Sequence, residues 1–148
     1  MIHDAGLVVD ASVAIKLGIP EEGSAAARAV FAARLSGEVA RLLVPDLFFA
    51  ECAGAFRTGI LRYRLPAAAV ERALLDLCAL CLESSATRDL APAALSLANA
   101  EGLSVQDACY VALSDRTGAP LVTADRKLHD RLDGSRHRVM WLGEFAAA

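Results

Sequence analysis

SVQDACYVALSDRTGAPLVTADRKL, residues 104–128, holds the alternation that decides the fold. Ser104 is a favourable N-cap, and Asp107 stands where a capping box usually carries Glu. Helix-forming residues follow as far as Thr117, and Gly118 supplies a stop. Residues 120–125, PLVTAD, read as a buried strand ending in an acid. RKLHDRL (126–132) then opens a second, short helix. A helix that feeds a buried strand that feeds another helix is the unit of α/β proteins, whose parallel strands are joined by helical crossovers.

The same alternation extends to both sides. HRVMWL (137–142) predicts a last strand. Upstream, Pro92 is expected to start a helix that Gly102 ends, because proline suits a first helical turn. CLESSAT (81–87) holds a short strand, and Pro66 begins a helix through residue 82. Pro45-Asp46 opens a helix running to about Arg64. RLLVP (41–45) and GLVVD (6–10) are further strands. Residues 22–35 have helical spacing, with Val30, Phe31 and Leu35 on one stripe. The class is α/β with a mostly parallel central sheet. The chain shows no repeat, linker or low-complexity tract, so residues 1–148 are read as a single domain.

Composition narrows the functions. Hydrophobic residues make up 55% and the mean hydropathy is +0.41, which fits a folded chain with apolar surface to spare for an oligomer or a partner. Apolar runs are cut by charges short of the ~18 residues a membrane span needs. The start, MIHDAGLVVD, lacks the pattern of a signal peptide, so the cytoplasm is the expected location. Net charge is −3, which argues against gripping nucleic acid by bulk charge. A polyanionic substrate would need local cations or a bound metal. The cysteines are expected as reduced thiols, with Cys78 and Cys81 packed toward the core by their helical spacing.

Four acids sit in unusual company: Asp10 and Asp125 end apolar strands, Glu51 interrupts LFFAECAGAF, and Asp107 lies in a first helical turn. Each has a plainer reading. Asp10 or Asp125 caps the following helix, Asp107 completes a capping box, and Glu51 belongs to the polar stripe of an amphipathic helix. Glu51 fits least well, since a carboxylate among apolar neighbours is costly unless it is paired or ligates a metal. Open α/β sheets place their chemistry at the carboxyl ends of strands, where Asp10 and Asp125 both lie. Converging carboxylates need a cation to stay ionised, and oxygen donors suit Mg²⁺ or Mn²⁺. Such an ion activates water and neutralises phosphate oxygens.

Rival chemistries lack their motifs. There is no G-x-S-x-G elbow, no P-loop and no G-x-G-x-x-G. His3, His129 and His137 lie outside the acidic stretches. Ser12 stands where a haloacid-dehalogenase-type site wants a second Asp. Arg57, Arg62, Arg64, Arg126 and Lys127 are candidates for phosphate contact or for solvated helix faces. Tyr63 and Tyr110 either stack on bases or, as expected here, pack in the core. Trp141 is expected to pack.

VVDASVAIKL (8–17), PDLFFAECAGAFR (45–57), residues 103–128 and the closing WLGEF together resemble the PIN-domain family, most closely VapC-type ribonuclease toxins of toxin–antitoxin pairs. The resemblance implies a three-layer α/β/α fold with a doubly wound sheet. It implies a Mg²⁺-dependent endoribonuclease leaving 5′-phosphate and 3′-hydroxyl ends, a homodimer, and a cognate antitoxin lying across the site. Residue by residue it maps the acidic site to Asp10, Glu51, Asp107 and Asp125, supported by Ser12 and Thr123. Asp10 and Asp107 are the expected direct ligands. Gln106 stands where many relatives carry an aromatic or other residue. The alternative is a non-catalytic PIN module that binds RNA or a protein partner.

Overall fold

The computed structural model describes residues 5–147. Its five strands are β1 (Leu7–Val9), β2 (Leu42–Pro45), β3 (Leu82–Ser85), β4 (Leu121–Thr123) and β5 (Val139–Trp141). They form one sheet in the order β3-β2-β1-β4-β5, with every pairing parallel. The eight helices of the described residues are α1 (Ala11–Ala14), α2 (Ser24–Ser36), α3 (Leu47–Tyr63), α4 (Ala67–Cys78), α5 (Thr87–Glu101), α6 (Val105–Thr117), α7 (Arg126–Leu132) and α8 (Leu142–Ala147). The result is a three-layer α/β/α fold, as expected from the sequence.

Burial explains the strand sequences. Leu7, Val8 and Val9 are wholly inaccessible, as expected for a parallel strand covered on both faces. α6 packs on β1, β2 and β4, and Ala108–Ser114 are buried without a break. A helix closed off all round must satisfy its polar groups internally. Ser114 does so by donating to the carbonyl of Ala119. The edge strand β3 is exposed at Glu83 and Ser84, and Glu83 forms a bidentate ion pair with Arg41. Charge on an edge discourages pairing with another chain.

The chain winds outward from β1 to β2 and β3, then returns to the other side of β1 for β4 and β5. The direction therefore switches between β1 and β4. In open parallel sheets, the carboxyl ends of strands at such a switch leave a crevice. Asp10 directly follows β1, and Ala124-Asp125 follow β4.

Several expectations need correction. Pro92 lies inside α5, which begins five residues earlier at Thr87. The early start has a tertiary cause: the Asp46 carboxylate, at the end of β2, accepts from both the Thr87 N–H and its hydroxyl. Cys78 and Cys81 are exposed rather than packed. Val70 and Leu77 carry the buried side of α4, and the helix ends at Cys78, so helical spacing no longer governs Cys81. Leu35 is also exposed. Val39 folds back through an N–H bond to the Ala33 carbonyl and is the residue buried at that end of α2. Tyr63 is 62% exposed, against its expected place in the core. Two elements were not foreseen: α1, with a 3₁₀ turn at Ile15–Leu17 after it, and α8.

Candidate active site

The backbone at the switch point brings two acids together by register. Val9 pairs with Val122, and the Asp10 N–H donates to the Val122 carbonyl. Asp10 is thereby set beside Thr123, whose hydroxyl donates to Asp10 Oδ2 at 2.7 Å. Ser12, in α1, donates to the same oxygen at 2.6 Å. Both hydroxyls in turn accept backbone N–H groups of the β4 exit: Ser12 from Ala124 at 3.0 Å, Thr123 from Asp125 at 3.0 Å. Asp10 is 5% exposed and does not cap α1 with its side chain, so the plainer capping reading fails there. Its other oxygen, Oδ1, takes no hydrogen bond among the described residues.

The other three acids come from different elements. Glu51 sits in the second turn of α3 and accepts from the hydroxyl of Tyr110, in α6, at 2.8 Å through Oε1. Asp125 does cap its helix: Oδ1 accepts from the N–H groups of Lys127 and Leu128. Its capping reading therefore holds, alongside whatever else the carboxylate does. Asp107 lies in the first turn of α6, where its N–H donates to the N-cap Ser104 hydroxyl at 3.1 Å. Only that half of a capping box is made among the described residues. Asp107 and Asp125 together line a cleft of about 280 Å³, with Lys127 on its wall.

A common pattern emerges. Asp10, Glu51 and Asp125 each have one carboxylate oxygen held by protein donors and the second left over. Fixing one oxygen orients a side chain without consuming its capacity to meet a ligand.

The carboxylates also feel one another. Burial raises the Asp10 pKa; the Ser12 and Thr123 hydroxyls oppose this, and the charges of Asp107 and Asp125 reinforce it. Glu51 is raised first by burial and then by Asp10 and Asp107, against the Tyr110 hydrogen bond. Asp107 is raised by burial and by Asp125, with Ser104 pulling the other way. Tyr110 is itself held far above the ordinary tyrosine range by burial and by Asp10 and Glu51, so it stays a donor.

Uncompensated negative charge and an all-oxygen donor set suit a hard divalent cation. Among the described residues, however, no three acidic, histidine or cysteine side chains stand close enough to ligate one ion directly. The two observations agree if the ion keeps much of its water shell, as Mg²⁺ commonly does. On donor chemistry the group fits such an ion.

The remaining candidates are dispersed. Arg57, Arg62 and Arg64 are exposed along the distal part of α3. Arg126 lies 3.6 Å over the ring of Trp141, which is only partly buried. His137 precedes β5, at the amino end of the sheet, bonded to Asp115 at 2.9 Å. His129 lies in α7 against Trp141. These two histidines do not converge, and His3 lies outside the described residues. The participant that sequence reading missed is Tyr110, assigned there to packing. The available signal was a tyrosine three residues after Asp107, on a helix with acids near both ends.

The model of the PIN domain family matches residues 7–134. No protein with a curated description matches the chain. Among solved structures, PAE2754 from Pyrobaculum aerophilum is similar, with TM-score 0.70 and 22% identity over 100% of this chain and 94% of that one. VapC20 of Mycobacterium tuberculosis, a toxin that cleaves the sarcin–ricin loop, is similar with TM-score 0.60 and 15% identity over 80% of this chain and 87% of that one. At such identities these likenesses speak to the fold. No helix among the described residues is long and apolar enough to cross a membrane.

Proposed function

The chain belongs to the PIN domain family, and from this premise we propose that residues 1–148 act as one domain, a Mg²⁺-dependent endoribonuclease toxin of VapC type. Mn²⁺ would substitute. The toxin would work in the cytoplasm as a homodimer held in check by a cognate antitoxin. The observation that carries the reading is geometric: Asp10 and Asp125 leave adjacent strands at the switch point of a parallel sheet, Asp107 lines a cleft with Asp125, and Glu51 is held by Tyr110 of the Asp107 helix. PIN domains are typically nucleases, and the likeness to a toxin that cleaves the sarcin–ricin loop favours RNA as the substrate class.

In this mechanism Asp10 and Asp107 would hold the ion directly, while Glu51 and Asp125 would hold its waters or a second ion. When bound, the ion supplies positive charge at the scissile phosphate and polarises the attacking water. The protein's own groups do the positioning. Ser12 and Thr123 anchor Asp10 through Oδ2 and leave Oδ1 available as a ligand. Tyr110 restrains Glu51, and the first N–H groups of α7 restrain Asp125. Lys127, on the cleft wall beside Asp107 and Asp125, offers its ammonium to a substrate phosphate and offsets the acidic surroundings.

A second reading, a non-catalytic module for RNA or a protein partner, draws on the lack, among the described residues, of three acids already close enough to share an ion. One experiment separates the two. Purified protein is incubated with total RNA in Mg²⁺ or Mn²⁺, with EDTA, and as Asp10→Asn. Discrete products that vanish with EDTA and with the variant are expected. Intact RNA in a sample that binds the metal would overturn the nuclease reading.

A further inference from the structure

Ala124 and Arg126, the residues on either side of Asp125 in the chain, line a second concavity, of about 470 Å³. Its walls come from four separate stretches: Lys16 after α1, Gly23 before α2, Ala124 and Arg126 around Asp125, and Trp141 and Gly143 at the β5–α8 junction. We propose that this concavity is a nucleotide subsite of the nuclease, holding one base of the RNA on the Arg126–Trp141 stack while the scissile phosphate lies at the carboxylates.

One feature points to a nucleotide, and three show that its seat is preformed. First, Arg126 lies 3.6 Å over the centre of the indole, which presents a cation and a flat π surface together. A guanidinium plane or an indole face is what an unstacked base packs against. Second, the His129 ring meets the Trp141 ring edge-on with centroids 6.0 Å apart, which fixes the indole's orientation. Third, the backbone at Gly143 and Gly23 packs closely against the wall side chains, which holds Trp141 and Lys16 in place. A Cβ at Gly143 would come within 2.8 Å of Trp141 Nε1, and one at Gly23 within 3.3 Å of the Lys16 chain. Fourth, Lys16 is nearly enclosed, with its side chain 14% exposed and its ammonium tied to Glu21 and to the Glu22 carbonyl. Its charge is thus offset by Glu21, and Glu22 also lines the wall, so Lys16 gives the concavity a fixed shape and Arg126 brings the cation that faces the ligand.

Placement supports the same assignment. Ala124 and Arg126 are the chain neighbours of Asp125, with consecutive Cα atoms ~3.8 Å apart, so the concavity is within reach of a nucleotide next to a phosphate held at the carboxylates. A volume of this size falls within the range of small-ligand sites. Base stacking carries little sequence information, so the subsite would strengthen binding of single-stranded or looped RNA without dictating which base enters.

This inference rests on the nuclease reading, yet its test does not need turnover. Trp141 is the only tryptophan of the chain, so its fluorescence reports this concavity alone. The protein is titrated with nucleoside 5′-monophosphates, with inorganic phosphate as the control. Arg126→Ala and Arg126→Gln follow, their folding checked by circular dichroism. Saturable quenching by the nucleotides, little response to phosphate, and affinity weakened several-fold in both Arg126 variants are expected. Linear quenching, equal quenching by phosphate, or titrations unchanged in both variants would overturn the proposal. No response to any nucleotide would also overturn it, and would leave the groove to a protein segment. With RNA as substrate, Arg126→Ala should raise KM more than it lowers kcat. Saturable nucleotide binding in a protein that cleaves no RNA would sink the nuclease reading and keep a nucleotide site. Cleavage by a protein whose fluorescence ignores nucleotides would do the reverse.

Discussion

The hydroxyl of Tyr110, on a side chain that solvent does not reach, donates to Glu51 Oε1 at 2.8 Å and so ties α6 to α3 across the acidic group. Asp107 lies one helical turn before Tyr110, so a single helix carries one acid and restrains another. Tyr110→Phe removes the donor and keeps the ring. A hydrogen bond to a charged group typically contributes ~1.5–3 kcal/mol, and partial exposure of Glu51 puts the expected stability loss near the lower end. RNA cleavage should fall about tenfold, which corresponds to ~1.4 kcal/mol of transition-state stabilisation. A double-mutant cycle with Glu51→Gln checks the assignment: strictly additive losses in activity would show that the tyrosine does not act through Glu51.

Thr123 is the hinge of a second network, because one hydroxyl both donates to Asp10 and accepts from the Asp125 N–H. Thr123→Val preserves the β-branched shape of a strand residue and deletes both bonds. One buried N–H loses its partner, at a cost of ~1–3 kcal/mol. Asp10 loses a donor that lowers its pKa, so the acid limb of the pH–rate profile should move to higher pH. Thr123→Ser keeps the hydroxyl and should restore both stability and profile. An unmoved acid limb in Thr123→Val would count against the network.

These two networks mark what the sequence made legible. Strands were readable because Leu7–Val9 and Leu121–Thr123 are short apolar runs ending in acids. Helix ends were readable where a local residue makes the cap, as at Ser104, Gly102 and Gly118. The start of α5 was not, because its cap is Asp46, 41 positions away. Likewise the four acids could be nominated from their surroundings. The partner of Glu51 could not, since nothing in a linear pattern says that residues 51 and 110 touch. Cys78 and Cys81 failed for a third reason: helical spacing places two residues on one face only while the helix lasts.

That failure has a chemical consequence. Cys78 and Cys81 are exposed, whereas Cys52 and Cys109 are buried. Burial, with Glu51 and Asp10 nearby, pushes the Cys52 thiol up to about 12. Cys109 is also raised, by burial and then by Glu51 and Asp46. Thiolate is the reactive form, so both are protected twice, by access and by charge. A native-state titration with a chromogenic disulfide should modify two thiols quickly and the other two only after unfolding. Mass mapping of the fast sites to Cys52 or Cys109 would contradict the burial of those faces of α3 and α6.

The raised carboxylates also predict how the metal-free protein responds to pH. Asp10, Glu51 and Asp107 have folded-state pKa values above their ordinary values of ~3.9–4.3. Folding therefore favours their protonated forms. Their contribution to stability is greatest below the unfolded values and is lost as pH rises through the folded ones. A divalent cation binds only the deprotonated group, so its stabilising effect should run the opposite way. Mg²⁺ should raise the Tm little near pH ~5 and clearly more near pH ~7.5. Asp10→Asn removes the most buried of these charges while its side-chain oxygen still accepts from Ser12 and Thr123. That variant should melt at or above the wild-type temperature without metal at neutral pH. It should also lose most of the Mg²⁺-induced shift along with its ability to cut RNA. Thermal melts of both proteins, with and without Mg²⁺ at the two pH values, give the answer. An equal Mg²⁺ shift at both pH values, or a metal-free Asp10→Asn protein less stable than wild type, would mean that the carboxylates are not the strained, cation-seeking group their burial and mutual repulsion imply.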